Sequence, residues 1–190
     1  MNPKIHYRPM CIQDIPEVSS LHMKSLKEGL LYDMGEQYIR LLHYISLKSE
    51  NSYGFVALDR DQIIGAAICS KNINDLYRKM IFHPKFLFGL AKRIFRLKKL
   101  YSTFGKEPIK YEFTFFFIDK AYHNLYVALN LMNLIDKYFS KQGIYTYTLQ
   151  VKETNKTAIV LYEYFGFKKY SEIGTANSKR VIYIRDNRKK

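Results

Sequence analysis

VKETNKTAIVLYEYFGF, Val151 to Phe167, carries a strand-to-helix-to-strand passage in one short stretch. An apolar strand over 145–151 ends at Val151, and a polar turn follows. Asn155 stands where a helix N-cap belongs, because its short side chain can accept from the backbone N–H groups left unpaired there. Ala158, Leu161, Tyr162 and Phe165 then recur at three- and four-residue steps, which predicts a helix over 155–165 with one buried stripe. Phe167 opens the next strand.

Working outward, Phe167–Ile173 and Arg180–Ile184 read as a closing hairpin around Gly174-Thr175-Ala176-Asn177. Upstream, Asn124–Phe139 places Leu125, Ala128, Leu129, Met132, Ile135 and Phe139 on one helical face, preceded by the apolar, aromatic strand Tyr111–Ile118. Tyr53–Leu58 and Ile63–Cys69 form a second hairpin across Asp59-Arg60-Asp61-Gln62. A short strand at Ile5–Arg8 comes first. It is followed by a helix from Asp14, with Glu17 completing a capping box and Pro16 tolerated in the first turn, and by a helix from Gly35 towards Lys48. Strands interleaved with helices in this order predict an α/β (α+β) fold. Its mixed, mostly antiparallel β-sheet carries helices on both faces, within a single domain over 1–190.

Composition narrows the class. A chain of 190 residues is long enough to bury a substantial core, and its 25% charged and 47% hydrophobic content is ordinary for a globular protein. Cys11 and Cys69 sit apart beside apolar residues, so two isolated buried thiols and a reducing cytoplasm are expected. The N-terminal MNPKIHYRPM lacks the apolar core of a signal peptide, and no run approaches a membrane span. The net charge of +14 favours an anionic partner: a phosphorylated cofactor, nucleic acid or an anionic membrane surface.

The opening quotation resembles the C-terminal motif of the GNAT superfamily of N-acetyltransferases, in which a strand ending in Val is followed by Asn, Ala, Leu-Tyr and Gly-Phe. Val151, Asn155, Ala158, Leu161-Tyr162 and Gly166-Phe167 match it at the expected spacing. Ile63-Ile64-Gly65-Ala66-Ala67 is similar to the family's second and third strands, and the resemblance covers nearly the whole chain, with 71–110 the least typical part. It implies a GNAT-like fold and transfer of an acetyl group from acetyl-coenzyme A to an amine, either a small molecule or a peptide.

The departure falls on the turn after Ile118. The family's pyrophosphate loop places a basic residue or Gln, then Gly, then Gly or Ala, on positions that here are His123, Tyr126 and Ala128, with Asn124 at a further common Gly position. Consecutive backbone N–H groups at a helix start bind phosphate, and glycines let the backbone come close. The resemblance therefore implies cofactor contacts along His123, Asn124, Leu125, Tyr126, Val127 and Ala128. The Tyr126 ring either points away and leaves these groups open, or fills the phosphate space. In the second case the chain is a non-catalytic GNAT-fold binding or regulatory module that has lost productive coenzyme A binding.

The implied reaction is direct attack of an amine on a thioester. At neutral pH, freeing an amine of pKa ~10.4 from its proton costs about 4–5 kcal/mol, so a positioned base is needed. The resemblance and its apolar surroundings point to Glu112 on the central strand; in the alternative Glu112 faces solvent or pairs with Lys110. Tyr162 matches the family tyrosine that protonates the departing thiolate, a position that also suits a core aromatic. Asn155 matches a cofactor-contacting asparagine and can cap its helix as well. Backbone N–H groups from Phe116, Phe117 and Ile118 are implied to polarise the thioester carbonyl where the strand splays. No metal is expected: His6, His22, His43, His83 and His123 lack ligand spacing with one another or with cysteine.

Residues 71–110 form an atypical basic helical insert. Within it, 84–101 reads as an amphipathic helix, with Leu87, Leu90, Ile94, Leu97 and Tyr101 on one side and Lys85, Lys92, Arg93, Arg96, Lys98 and Lys99 on the other. Such a helix covers the sheet with a solvated outer face, or forms a positive lip that attracts an anionic acceptor such as a nucleotide-linked amino sugar, or touches a membrane surface peripherally. Nucleic acid is the least favoured partner, since no nucleic-acid module accompanies the charge. The acceptor loop is expected at Gly29–Gly35, whose Leu30-Leu31-Tyr32-Asp33-Met34 name no substrate.

Overall fold

The computed structural model describes residues 5–27, 29–91, 111–122, 125–174 and 179–188. Its elements run β1 (Ile5–Pro9), α1 (Ile15–Ser25), α2 (Leu30–Met34), α3 (Glu36–Lys48), β2 (Ser52–Asp59), β3 (Gln62–Ser70), α4 (Ile73–Ile81), α5 (Pro84–Ala91), β4 (Glu112–Ile118), α6 (Leu125–Lys141), β5 (Thr146–Lys152), α7 (Lys156–Tyr164), β6 (Lys168–Ile173) and β7 (Arg180–Asp186). The strands form one sheet in the order β1-β2-β3-β4-β5-β7-β6, antiparallel throughout except for the β4–β5 pair. This is the mixed sheet expected, with helices on both faces.

Strand alternation builds both cores. In β3, Ile64, Ala67 and Cys69 pack under α6 with Val127, Leu131, Met132 and Ile135, while Ala66 and Ile68 pack on the other face with Val18 and Leu21 of α1. Burial on two faces explains why β3 reads as an unbroken apolar run. Each fully buried Leu, Ile or Val contributes about 1.5–3 kcal/mol. A third cluster joins Leu42 and Ile45 of α3 to Leu76 and Met80 of α4 and Phe86 of α5.

Several sequence expectations change in detail. Asp14 does precede α1, but its side chain caps nothing there; it accepts from Arg8 at 2.6 Å and from the Cys11 N–H at 2.8 Å. Glu17, expected to close a capping box, instead accepts from the Ile63 N–H at 2.8 Å and ties α1 to the β2–β3 hairpin. Cys69 is buried, whereas Cys11 is exposed, contrary to expectation. The Gly29–Gly35 segment is not an open loop. It holds the short helix α2 between two glycines at φ +103° and +104°, a backbone region that side chains rarely adopt.

The expected basic helix over 84–101 is described only as α5, and the remainder of the 71–110 insert lies outside the described residues beyond Ala91, up to 110. Among the described residues, no helix is long and apolar enough to cross a membrane.

Gly166 explains one motif position physically. It lies at φ +96°, and a Cβ there would meet the Arg185 guanidinium. Arg185 is buried; it donates to the Phe165 carbonyl, lies 4.3 Å from the Phe165 ring and pairs with Asp136 of α6 at 3.1 Å. Burial opposes ionisation of Asp136, but hydrogen bonds from Arg185 and Tyr147 outweigh it and hold its pKa below the usual carboxylate value. This clamp fixes α6 and the end of α7 against β5 and β7.

Candidate active site

The candidate site lies at the β4–β5 seam. The two strands share a single register pair, Glu112 with Thr148, with the Thr148 N–H donating to the Tyr111 carbonyl at 3.0 Å. Beyond that point they part, and a cavity of about 830 Å³ opens between them, lined by Phe113–Ile118 of β4 and Leu149–Lys152 of β5. The Asp119 N–H donates to Ile64 of β3 at 2.8 Å. Because N–H groups alternate sides along a strand, those of Phe116 and Ile118 turn towards the parted side, and that of Phe117 towards β3. Of the three expected carbonyl donors, two therefore face the gap.

A short turn leads from β4 into α6. The Tyr122 hydroxyl donates to Asp59 at 2.9 Å, which pins the turn to the β2–β3 hairpin. His123 and Asn124 lie outside the described residues. Leu125 and Ala128 face the cavity, and the Val127 side chain is fully buried in the core, so that only its backbone could serve a ligand. Tyr126 is 63% exposed and does not line the cavity. Its phenol lies near Tyr7 of β1, where it adds to the burial that raises the Tyr7 pKa. The ring thus stands on the side of α6 away from the gap.

Across the gap, Asn155 caps α7, its Oδ1 accepting from the Ala158 N–H at 3.2 Å, and it also lines the cavity. The capping and site positions coincide. Tyr162, on the stripe of the same helix, is a cavity wall and a core aromatic at once, with its ring 6.4 Å from Phe116 and 6.0 Å from Phe167. Burial pushes its pKa well above that of an ordinary tyrosine, so the hydroxyl keeps its proton across the physiological range.

Glu112 is 2% exposed, which excludes the solvent-facing alternative. It does not itself line the cavity; its connection is Gln150, a cavity residue whose Nε2 donates to Glu112 Oε2 at 3.1 Å. Leu149 and Val151 point into the α6 core, so Gln150 projects from the opposite face, towards α1 and α3. On that face the expected acceptor segment contributes Gly29, Leu30, Leu31 and Tyr32.

Sequence reasoning missed His22, another cavity residue. Its Nδ1 lies 3.1 Å from Nε2 of His43, and its ring packs on Phe115 and Phe117. Burial lowers the pKa of both histidines, that of His22 to about 4, so the pair is neutral at pH 7. The signal was present: Val18 and His22, like Ile39 and His43, are four residues apart on buried helix stripes. Among the described residues, no group of three or more His, Cys, Asp or Glu could hold a metal ion.

The model of the acetyltransferase (GNAT) family matches residues 17–167. No curated protein matches the sequence. Among solved structures, the fold is similar to that of Ard1 from Thermoplasma volcanium, with 16% identity, 97% of this chain and 99% of that chain covered, and a TM-score of 0.66. The ribosomal-protein-S18-alanine N-acetyltransferase from Escherichia coli gives 14%, 98%, 96% and 0.63. PaiA N-acetyltransferase from Thermoplasma acidophilum, solved in complex with coenzyme A, gives 16%, 96%, 99% and 0.62. At these identities the likeness is one of fold.

Proposed function

The chain belongs to the GNAT family of acetyltransferases, and from that membership we propose that it transfers an acetyl group from acetyl-coenzyme A to the amine of an acceptor. The observation that carries this reading is the parting of β4 and β5 between the start of α6 and the Tyr162 side of α7. The fit to the cofactor rests on three features. α6 is the next α-helix after β4, the Tyr126 ring is turned away, and Ala128 and Asn155 border the gap. Main-chain N–H groups at the head of α6 would hold the pyrophosphate.

Acetyl-coenzyme A supplies an acyl group already activated as a thioester. The Phe116 and Ile118 N–H groups would stabilise charge developing on the carbonyl oxygen. Glu112, its carboxylate fixed by Gln150, draws the proton from the attacking amine through water in the cleft. His22 is the rival base because it lines the cavity, but a pKa near 4 makes it a poor proton acceptor at neutral pH. Tyr162 donates its proton as the carbon–sulfur bond breaks. The alternative, a non-catalytic binding module, required Tyr126 to fill the phosphate position; the outward ring favours catalysis.

A thermal-shift titration with acetyl-coenzyme A tests the reading. Ligand at 100 times its dissociation constant stabilises by about 2.7 kcal/mol, and release of free thiol on adding an amine reports turnover. No shift at millimolar ligand would return the chain to the binding-module reading.

A further inference from the structure

The charge on the cavity wall is one-sided. Among the described residues that line it there is no Asp or Glu, and the charged ones are Lys152 and Arg180. These two are register partners on β5 and β7. Val151 and Val181, their neighbours in the chain, point into the core under α6, so Lys152 and Arg180 project from the opposite face, the one that faces α1 and α3. Arg180 thus brings its guanidinium to the cavity beside a second cation, an arrangement that an anion bound by Arg180 would relieve. The adjacent Lys179 differs from Arg180, since its charge is taken up by Glu153 at 3.3 Å and Glu172 at 2.5 Å. Arg180 makes no ion pair among the described residues.

Apart from His22, Ser25, Tyr32, Thr114 and Gln150, the rest of that wall is largely apolar. Leu26, Leu30, Leu31, Tyr77, Met80 and Phe86, from the α1–α2 connection, α2, α4 and α5, face the same cavity. A polyamine would carry further positive charge against Arg180, with no Asp or Glu among the described lining residues to meet it. A bare amino sugar would leave this apolar wall in water.

We infer that the acceptor is an amine with an apolar or aromatic body and an anionic group, carboxylate or phosphate, held by Arg180 beside Lys152. The inference rests on the acetyl-transfer reading above. Arg180 suits either oxyanion because its guanidinium can bind two oxygens at once.

The experiment follows thiol release from acetyl-coenzyme A by the full-length protein with four probes: phenylalanine, phenylalaninamide, spermidine and a uridine-diphosphate-linked amino sugar. At least one anionic probe is expected to exceed phenylalaninamide and spermidine tenfold or more in kcat/KM. Which of the two it is separates carboxylate from phosphate. Arg180→Gln should lower that value at least tenfold, mainly through KM, with partial recovery in Arg180→Lys and an unchanged acetyl-coenzyme A thermal shift. Three results overturn the inference while leaving acetyl transfer intact: preference for spermidine or the amide, indifference of the anionic probe to Arg180→Gln, or no turnover of either anionic probe by a protein that acetyl-coenzyme A still stabilises. Absence of any acetyl-coenzyme A shift removes the underlying reading, and the inference with it.

Discussion

Gln150 reaches across the seam to donate to Glu112 at 3.1 Å, so a residue of the cavity wall fixes a carboxylate lying just behind that wall. Glu112→Gln keeps the shape and removes the proton acceptor, and it should lower kcat about 100-fold with the acetyl-coenzyme A shift unchanged. Gln150→Leu leaves the carboxylate in place, removes the amide that links it to the cavity wall and should cost less. Wild-type rates in Glu112→Gln would remove that residue from the chemistry.

Tyr162→Phe deletes only the hydroxyl of a ring packed between Phe116 and Phe167. Stability and cofactor affinity should stay near wild type while kcat falls roughly 10- to 100-fold. Equal turnover in the two proteins would reduce Tyr162 to a core aromatic.

Tyr126→Ala addresses the turn without glycine. Because the ring is exposed and lies off the cavity, the dissociation constant for acetyl-coenzyme A, read by calorimetry, should change by less than about threefold, below 1 kcal/mol. Affinity that improves tenfold or more on trimming would mean that the ring obstructs the phosphate site after all.

How far the sequence could be read depended on the reach of each interaction. Helices α6 and α7 and the Asn155 cap were legible because their signals are local periodicity and a cap a few residues away. Asp14 and Glu17 misled because their spacing suits a capping box, whereas their partners Arg8 and Ile63 are set by tertiary packing. The Gln150–Glu112 link joins residues 38 apart in the chain across a parallel seam, and no local pattern encodes that register. For Tyr126 the side-chain size is legible in the sequence but its direction is not, and the direction decides between catalysis and a binding module.

The His22–His43 contact gives a pH dependence. Both folded-state pKa values are depressed by burial, so folded protein resists protonation that the unfolded chain accepts. Stability is fully present above the ordinary histidine pKa of 6.5 and is lost as pH falls towards 4. His22 alone should remove about 2 kcal/mol between pH 7 and pH 5, measured as a drop in the urea midpoint. A His22→Gln, His43→Gln double variant should lose most of that slope; an identical slope would place the acid sensitivity elsewhere.

The gap between β4 and β5 is walled from both faces of the sheet, by Phe113, Phe116 and Ile118 on one and by Phe115 and Phe117 on the other. Two reactants arriving from opposite directions can occupy it together, and neither must depart before its counterpart enters. Initial-velocity plots at several fixed concentrations of the second reactant should therefore converge to a common intersection, the mark of simultaneous occupancy, and not run parallel as they would if the enzyme carried the acyl group between visits.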